Sequence, residues 1–93
     1  MLEREPNDTF LLYGLAMECK KANELDRALE YLSKVTQLDS GYCYAYHQRG
    51  LIHEMRNDIP AAKQAYEEGI AAATTKGDAH AREEIAAALS MIS

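Results

Sequence analysis

The sequence predicts an all-α fold in which five helices stack as an array of helical hairpins. Three observations carry that expectation. First, the chain nearly repeats itself after 34 residues, so that small falls on small: Ala16 on Gly50, Ala28 on Ala62, Val35 on Gly69. Large also falls on large, with Leu12 on Tyr46, Leu25 on Ile59 and Leu32 on Tyr66, and Asn23-Glu24 lands on Asn57-Asp58. Second, apolar residues recur at helical spacing inside each segment. Third, helix breakers are scarce, with 5 Gly and 2 Pro in 93 residues. A repeat of this length, built only from helix-like segments, marks an array in which each unit buries its apolar face on its neighbours.

The first helix is expected from about Thr9 to Ala22, with Asp8 as N-cap and the stripe Leu12, Leu15, Ala16, Cys19. Asn23 is placed to end it in the left-handed conformation, where Gly is more usual. The second helix, about Leu25 to Leu38, shows Ala28, Leu29, Leu32 and Val35, and the turn residues Asp39-Ser40-Gly41 break the pattern. The third, about Tyr42 to Arg56, carries Tyr46, Gly50 and His53 on the matching face. Asn57-Asp58 ends it and starts the fourth, whose first turn tolerates Pro60 because a missing N–H there costs little. The fourth shows Ala62, Tyr66, Gly69 and Ile70 and reaches Thr75. Lys76-Gly77-Asp78 then reads as a stop followed by an N-cap. The fifth, about Ala79 to Ile92, points Ile85, Ala88, Leu89 and Ile92 inward and covers the end of the array.

Charge and composition narrow the function. Apolar residues make up 47% of the chain, enough for one elongated core. Fifteen acidic against ten basic residues give a net charge of −5, which argues against the phosphate backbone of a nucleic acid as target. Lys20-Lys21, the longest basic cluster, sits where a cation complements a helix C-terminus. No apolar run approaches the roughly 20 residues needed to span a bilayer, and Met1–Glu5 is too polar for a signal peptide. A cytoplasmic protein is therefore expected. Cys19 and Cys43 fall near opposite ends of adjacent helices, too far apart for a disulfide, and free thiols suit a reducing compartment.

These residues resemble the tetratricopeptide repeat (TPR) family. Its pattern is met on the first helix of unit one by Leu12, Leu15, Ala16 and Cys19, and on the second by Leu25, Ala28, Leu32 and Val35. Unit two supplies Tyr46, Gly50, His53, Ile59, Ala62, Tyr66 and Gly69. The resemblance implies a right-handed α-α superhelix, with unit one at 9–42, unit two at 43–76 and a capping helix at 77–93. Small residues, Ala16 or Gly50 facing Ala28 or Ala62, would let paired helices approach closely. Three departures stand out. Arg49 fills the Leu15 slot, so its guanidinium must reach outward or find a carboxylate. Ser40 and Thr74 replace the closing proline, and His53 replaces a tyrosine. Residues 1–8 read either as the tail of a preceding repeat, with Pro6 as its closing proline, or as a plain lead-in. The first alternative would mean either that an upstream unit was lost or that the chain is part of a larger TPR protein.

The resemblance places a partner-binding groove on the first helix of each unit. Its residues here would be Phe10, Tyr13, Met17, Lys20 and Lys21, then Tyr44, His47, Leu51, Glu54 and Met55. Aromatic and methionine side chains concentrate binding energy in small interfaces. They could equally pack only against neighbouring helices. The Lys and Asn with which the best-known members hold a terminal carboxylate are replaced by Tyr13 and Met17, which disfavours that role.

Catalytic chemistry finds little support. Cys43 and His47 stand four apart, a metal-competent spacing, but no second ligand pair matches them, and no metal site is expected. Ser33, Ser40 and Ser90 lack a His/Asp arrangement, and no Gly-rich phosphate loop occurs, so no cofactor is expected. Glu67-Glu68 and Glu83-Glu84 read as solvated faces. The expectation is a non-enzymatic module that binds a peptide or partner protein. The alternative is a homodimeric scaffold joined through Phe10, Leu11, Tyr13 and Leu2, since two units fall short of the ~3 repeats such arrays need.

Overall fold

The computed structural model describes residues 8–93, and the expectations that fall on Leu2 and Pro6 lie outside the described residues. Five helices follow in order: α1 Thr9–Lys21, α2 Leu25–Leu38, α3 Cys43–Met55, α4 Ile59–Lys76 and α5 Ala79–Ile92. Each packs against the next, and α3 also touches α5, so α1, α3 and α5 share one side and α2 and α4 the other. The resulting slab measures 41 × 30 × 16 Å.

Local chemistry explains where each helix starts and stops. Asp8 Oδ1 accepts hydrogen bonds from the Phe10 and Leu11 amides at 3.0 and 3.3 Å, satisfying donors that the first turn leaves unpaired. Asp58 and Asp78 cap α4 and α5 the same way, through the Ala61 and Ala81 amides. Asn23 and Asn57 both adopt φ 64° and Gly77 φ 79°. Each lets the chain fold back so that the following amide reaches a carbonyl inside the helix: Glu24 to Cys19, Asp58 to His53, Asp78 to Ala73. Asn performs at two ends the task that Gly usually performs. Helix bounds match expectation within one residue, α1 and α3 being slightly shorter because Ala22, Tyr42 and Arg56 are cap residues.

Packing follows the internal repeat. Ala16 and Gly50, Ala28 and Ala62, Leu32 and Tyr66, and Val35 and Gly69 are all buried pairwise. One core cluster joins Leu12, Ala16, Ala28, Leu32 and Val35 to Ala45 and Ile52 of α3, while a second joins Cys43 of α3 to Ala62, Tyr66, Ala73, Ala81 and Ile85. Thus α3 belongs to both clusters and couples the two hairpins. Each large buried side chain contributes about 1.5–3 kcal/mol. Cys19 and Cys43 are both buried and free.

A Cβ at Gly50 would collide with the Tyr66 ring. Gly50 therefore makes room for the largest fully buried side chain of the core. Arg49 does find a carboxylate, Glu68 at 3.6 Å, although its Nε is buried without a partner. That pair, with the Gln64 hydrogen bond to Glu68, means Glu68 is not merely a solvated charge.

Candidate partner-binding groove

Helices α1 and α3 run side by side on the odd-numbered side, and their facing residues are tied together by side-chain chemistry. Lys20 Nζ donates to Gln48 Oε1 at 2.7 Å. Tyr13 stacks on Tyr42 with ring centroids 5.3 Å apart and planes 25° apart. Burial pushes the Tyr13 phenol up, while a hydrogen bond with Gln48 works in the opposite direction. Gln48 thus bridges the two helices from the middle of α3.

The floor beneath α3 is Tyr66 from α4. Its hydroxyl donates to Glu54 Oε2, and burial together with that carboxylate pushes its pKa far up. His47 meets the same ring edge-on, with centroids 6.0 Å apart and planes at 70°. Burial holds His47 below the ordinary imidazole range; Glu84 and Glu54 oppose that shift and Lys20 reinforces it. Tyr44 lies near Glu84 of α5, and its phenol is pushed up first by burial and then by that carboxylate.

Of the ten residues expected to form the groove, Tyr13, Met17, Lys20, Tyr44, His47, Leu51 and Glu54 are half-buried along α1 and α3. Phe10, at 80% exposure, projects from the first turn of α1, and Met55 and Lys21 are exposed at the far helix ends. Sequence reasoning missed Gln48, Tyr42, the Tyr66 floor and Glu84. Gln48 gave no signal because its counterpart one repeat earlier is Gly14, which has no side chain. Glu84 lies beyond the matched repeats, where the pair Glu83-Glu84 by itself marks only a solvated face. It stands 3.3 Å from His80 as well as beside Tyr44.

Cys43 and His47 do not converge. The Cys43 thiol donates to the Gly41 carbonyl at 3.3 Å, and burial pushes its pKa up, whereas His47 faces Tyr66. Among the described residues no cluster of three or more His, Cys, Asp or Glu side chains is placed to hold a metal ion. No described helix is long and apolar enough to cross a membrane.

A cleft of about 400 Å³ opens elsewhere, between the α2–α3 turn and α4, lined by Tyr46, Glu68, Ala71, Ala72, Thr75 and Lys76 among others. Its polar groups serve the fold. Tyr46 Oη donates to the Ser40 carbonyl and Lys76 Nζ to the Gly41 carbonyl, both at 3.1 Å, pinning the turn to α4.

Comparison with known proteins decides the family. The chain is 31% identical over 85 residues to a TPR repeat-containing protein of Pseudomonas aeruginosa, covering 91% of this chain and 81% of that one. The chain belongs to the tetratricopeptide repeat family. A solution structure of a TPR domain protein from Salinibacter ruber superposes with a TM-score of 0.88 at 27% identity, covering 96% of this chain and 90% of that one. A crystal structure of a TPR domain protein from the same organism gives 0.83, with 91% and 94% covered and 27% identity. A solution structure of a protein from Bordetella parapertussis gives 0.81, also at 27% identity, covering 91% of this chain and 74% of that one. No family model matches the chain. The TPR fold is a right-handed α-α superhelix, and domains built on it generally serve as non-enzymatic protein-interaction scaffolds.

Proposed function

We propose that this TPR domain binds a peptide or a segment of a partner protein along the groove formed by α1 and α3, with unit one at 9–42, unit two at 43–76 and α5 closing the array. The observation that carries this reading is the row of half-buried Tyr13, Tyr44, His47, Leu51 and Glu54 on one side of the slab. Tyr13 stacks on Tyr42, Tyr44 lies beside Glu84, and His47 and Glu54 meet Tyr66, yet each keeps surface for a ligand. Prepositioned aromatic and polar groups bind with less ordering cost than mobile ones. Free, buried Cys19 and Cys43 fit a reducing, cytoplasmic setting. Replacing Tyr13 and Tyr44 by Ala should abolish capture of cellular partners while circular dichroism shows intact helices. Unchanged capture would sink the groove reading.

A second reading, self-association, would use the exposed pair Phe10 and Leu11 at the start of α1. Tyr13, expected to belong with them, is instead stacked on Tyr42. Light scattering over a concentration series tests this reading directly.

A further inference from the structure

We infer that the groove takes an acidic side chain, Asp or Glu, of the bound segment at the α1–α3 junction, against the Lys20 ammonium and the Tyr13 hydroxyl. This inference rests on the groove reading and names the chemistry of its occupant. One amide brings the two groups together. Lys20 Nζ donates to Gln48 Oε1 at 2.7 Å, and the same side chain hydrogen-bonds Tyr13. With Oε1 engaged by Lys20, the amide meets Tyr13 through its Nε2, a donor, and the bond accordingly works to lower the phenol's pKa. The phenol oxygen therefore accepts, and its own proton remains to be given. The stack on Tyr42, with centroids 5.3 Å apart, fixes where that hydroxyl stands. Met17 lies between Tyr13 and Lys20 on the same face of α1, half-buried, an apolar seat for the stem of an acidic side chain.

Lys20 also carries a charge that the fold leaves unanswered. Arg27, Arg49 and Arg56 each meet a carboxylate, whereas among the described residues none pairs with the half-buried Lys20 ammonium. Its partner is a neutral amide, which uses one of three N–H donors. The last carbonyls of α1 offer only about half a charge between them. The groove's own carboxylates are engaged elsewhere, Glu54 by the Tyr66 hydroxyl and Glu84 by His80. Lys20 and Tyr13 thus present donors alone, and a carboxylate has an oxygen for each, the one on Lys20 charge-assisted. The net charge of −5 opposes an acidic segment from a distance. That field is screened beyond about 8 Å at physiological salt, while a contact pair acts at about 3 Å. Recognition is therefore local, of one carboxylate and not of an acidic run.

The experiment selects a displayed library of random linear peptides against the full chain, which should enrich peptides with a single Asp or Glu beside an aromatic or aliphatic residue. A selected peptide, resynthesised with an amidated C-terminus, should bind Lys20→Met about tenfold more weakly, as expected for one charge-assisted bond at a partly exposed site. Met keeps the stem, and circular dichroism checks that the helices are intact. Changing the peptide's Asp or Glu to Asn or Gln should lose about the same factor, and both changes together no more than either alone. Gln48→Ala, which unties Lys20 from Tyr13, should weaken the acidic peptide and leave its amide counterpart unchanged. Enrichment of neutral or basic peptides, losses that simply multiply, or binding abolished by C-terminal amidation would overturn the acidic-residue inference. The groove reading would still stand if those peptides are lost in Tyr44→Ala. Selection of no peptide, or of peptides indifferent to Tyr44→Ala, would overturn both.

Discussion

Three glycines on α-helices separate local propensity from packing. Glycine in a helix interior costs roughly 0.5–1 kcal/mol relative to alanine, so Gly→Ala stabilises wherever space allows. Around Gly14 nothing lies within 4 Å of an added Cβ, so Gly14→Ala should stabilise the fold by about 0.5–1 kcal/mol and raise the melting temperature. Gly50 is held against the Tyr66 ring and Gly69 sits 2.8 Å, from its would-be Cβ, from Tyr46 Cβ. Overpacking of this kind costs about 1–3 kcal/mol and outweighs the propensity gain. Gly50→Ala and Gly69→Ala should therefore destabilise, and thermal melts of the three variants check the signs. Histidine supplies a second test. Burial lowers the pKa of His47 and His53 from the ordinary 6.5, so between the folded and unfolded values the unfolded chain binds more protons. That contribution is fully present above about 6.5 and is lost as pH falls through the depressed folded values. The melting temperature should drop on acidification toward about pH 5, and His47→Gln/His53→Gln should flatten that part of the profile. Equal slopes for both proteins would show that neither imidazole is responsible.

At the scale of elements, periodicity made the helices legible because it reports burial directly. The stripe Leu12, Ala16, Cys19 and its counterparts mark which face turns inward, and Asp8, Asn23, Asn57 and Gly77 mark the ends. Side chains that act across helices were not legible. Gln48 reads as one polar residue among several until Lys20 and Tyr13 are placed beside it. The repeat also loses its register: α3 starts 34 residues after α1, but α5 starts 36 after α3, because α4 is four residues longer than α2 while the turn that follows it is two residues shorter. The added turn of α4 brings Ala73 into the second core cluster and Lys76 within reach of the Gly41 carbonyl. In this shifted register α5 packs through buried Ala81 and Ile85, with Ala88, Leu89 and Ile92 half-buried against the same cluster. Removing α5 uncovers Tyr66 and Ala73 from that side, and each large side chain contributes about 1.5–3 kcal/mol. A domain of this size has only about 5–10 kcal/mol to lose. Truncation after Lys76 should give a partly unfolded or aggregating protein. A truncated chain with the parent melting temperature would release α5 from its capping role.

At the scale of the whole molecule, the question is what the outer face of α1 is built to meet. The internal repeat answers it through α3, whose Ala45 and Ile52 are fully buried within the first core cluster. Thirty-four residues earlier stand Leu11 and Glu18, and both are exposed. A helix stacked on α1 in the way the first hairpin stacks on α3 would have to bury the Glu18 carboxylate. Taking an unpaired charge out of water costs several kcal/mol, more than covering Leu11 returns. Phe10 sits about two turns from Glu18, at the helix start, and can be shielded without burying that carboxylate, but it offers a patch too small for a stable dimer, which buries about 800 Å² on each partner. The expected state is therefore a monomer, with Glu18 acting against in-register stacking. Size-exclusion chromatography with light scattering should show a monomer for the wild type at micromolar concentrations. Glu18→Ile, which restores the residue found at position 52, should shift the population toward concentration-dependent oligomers. A wild-type dimer that dissociates in Phe10→Ser would reverse this conclusion and make self-association through the start of α1 the better account.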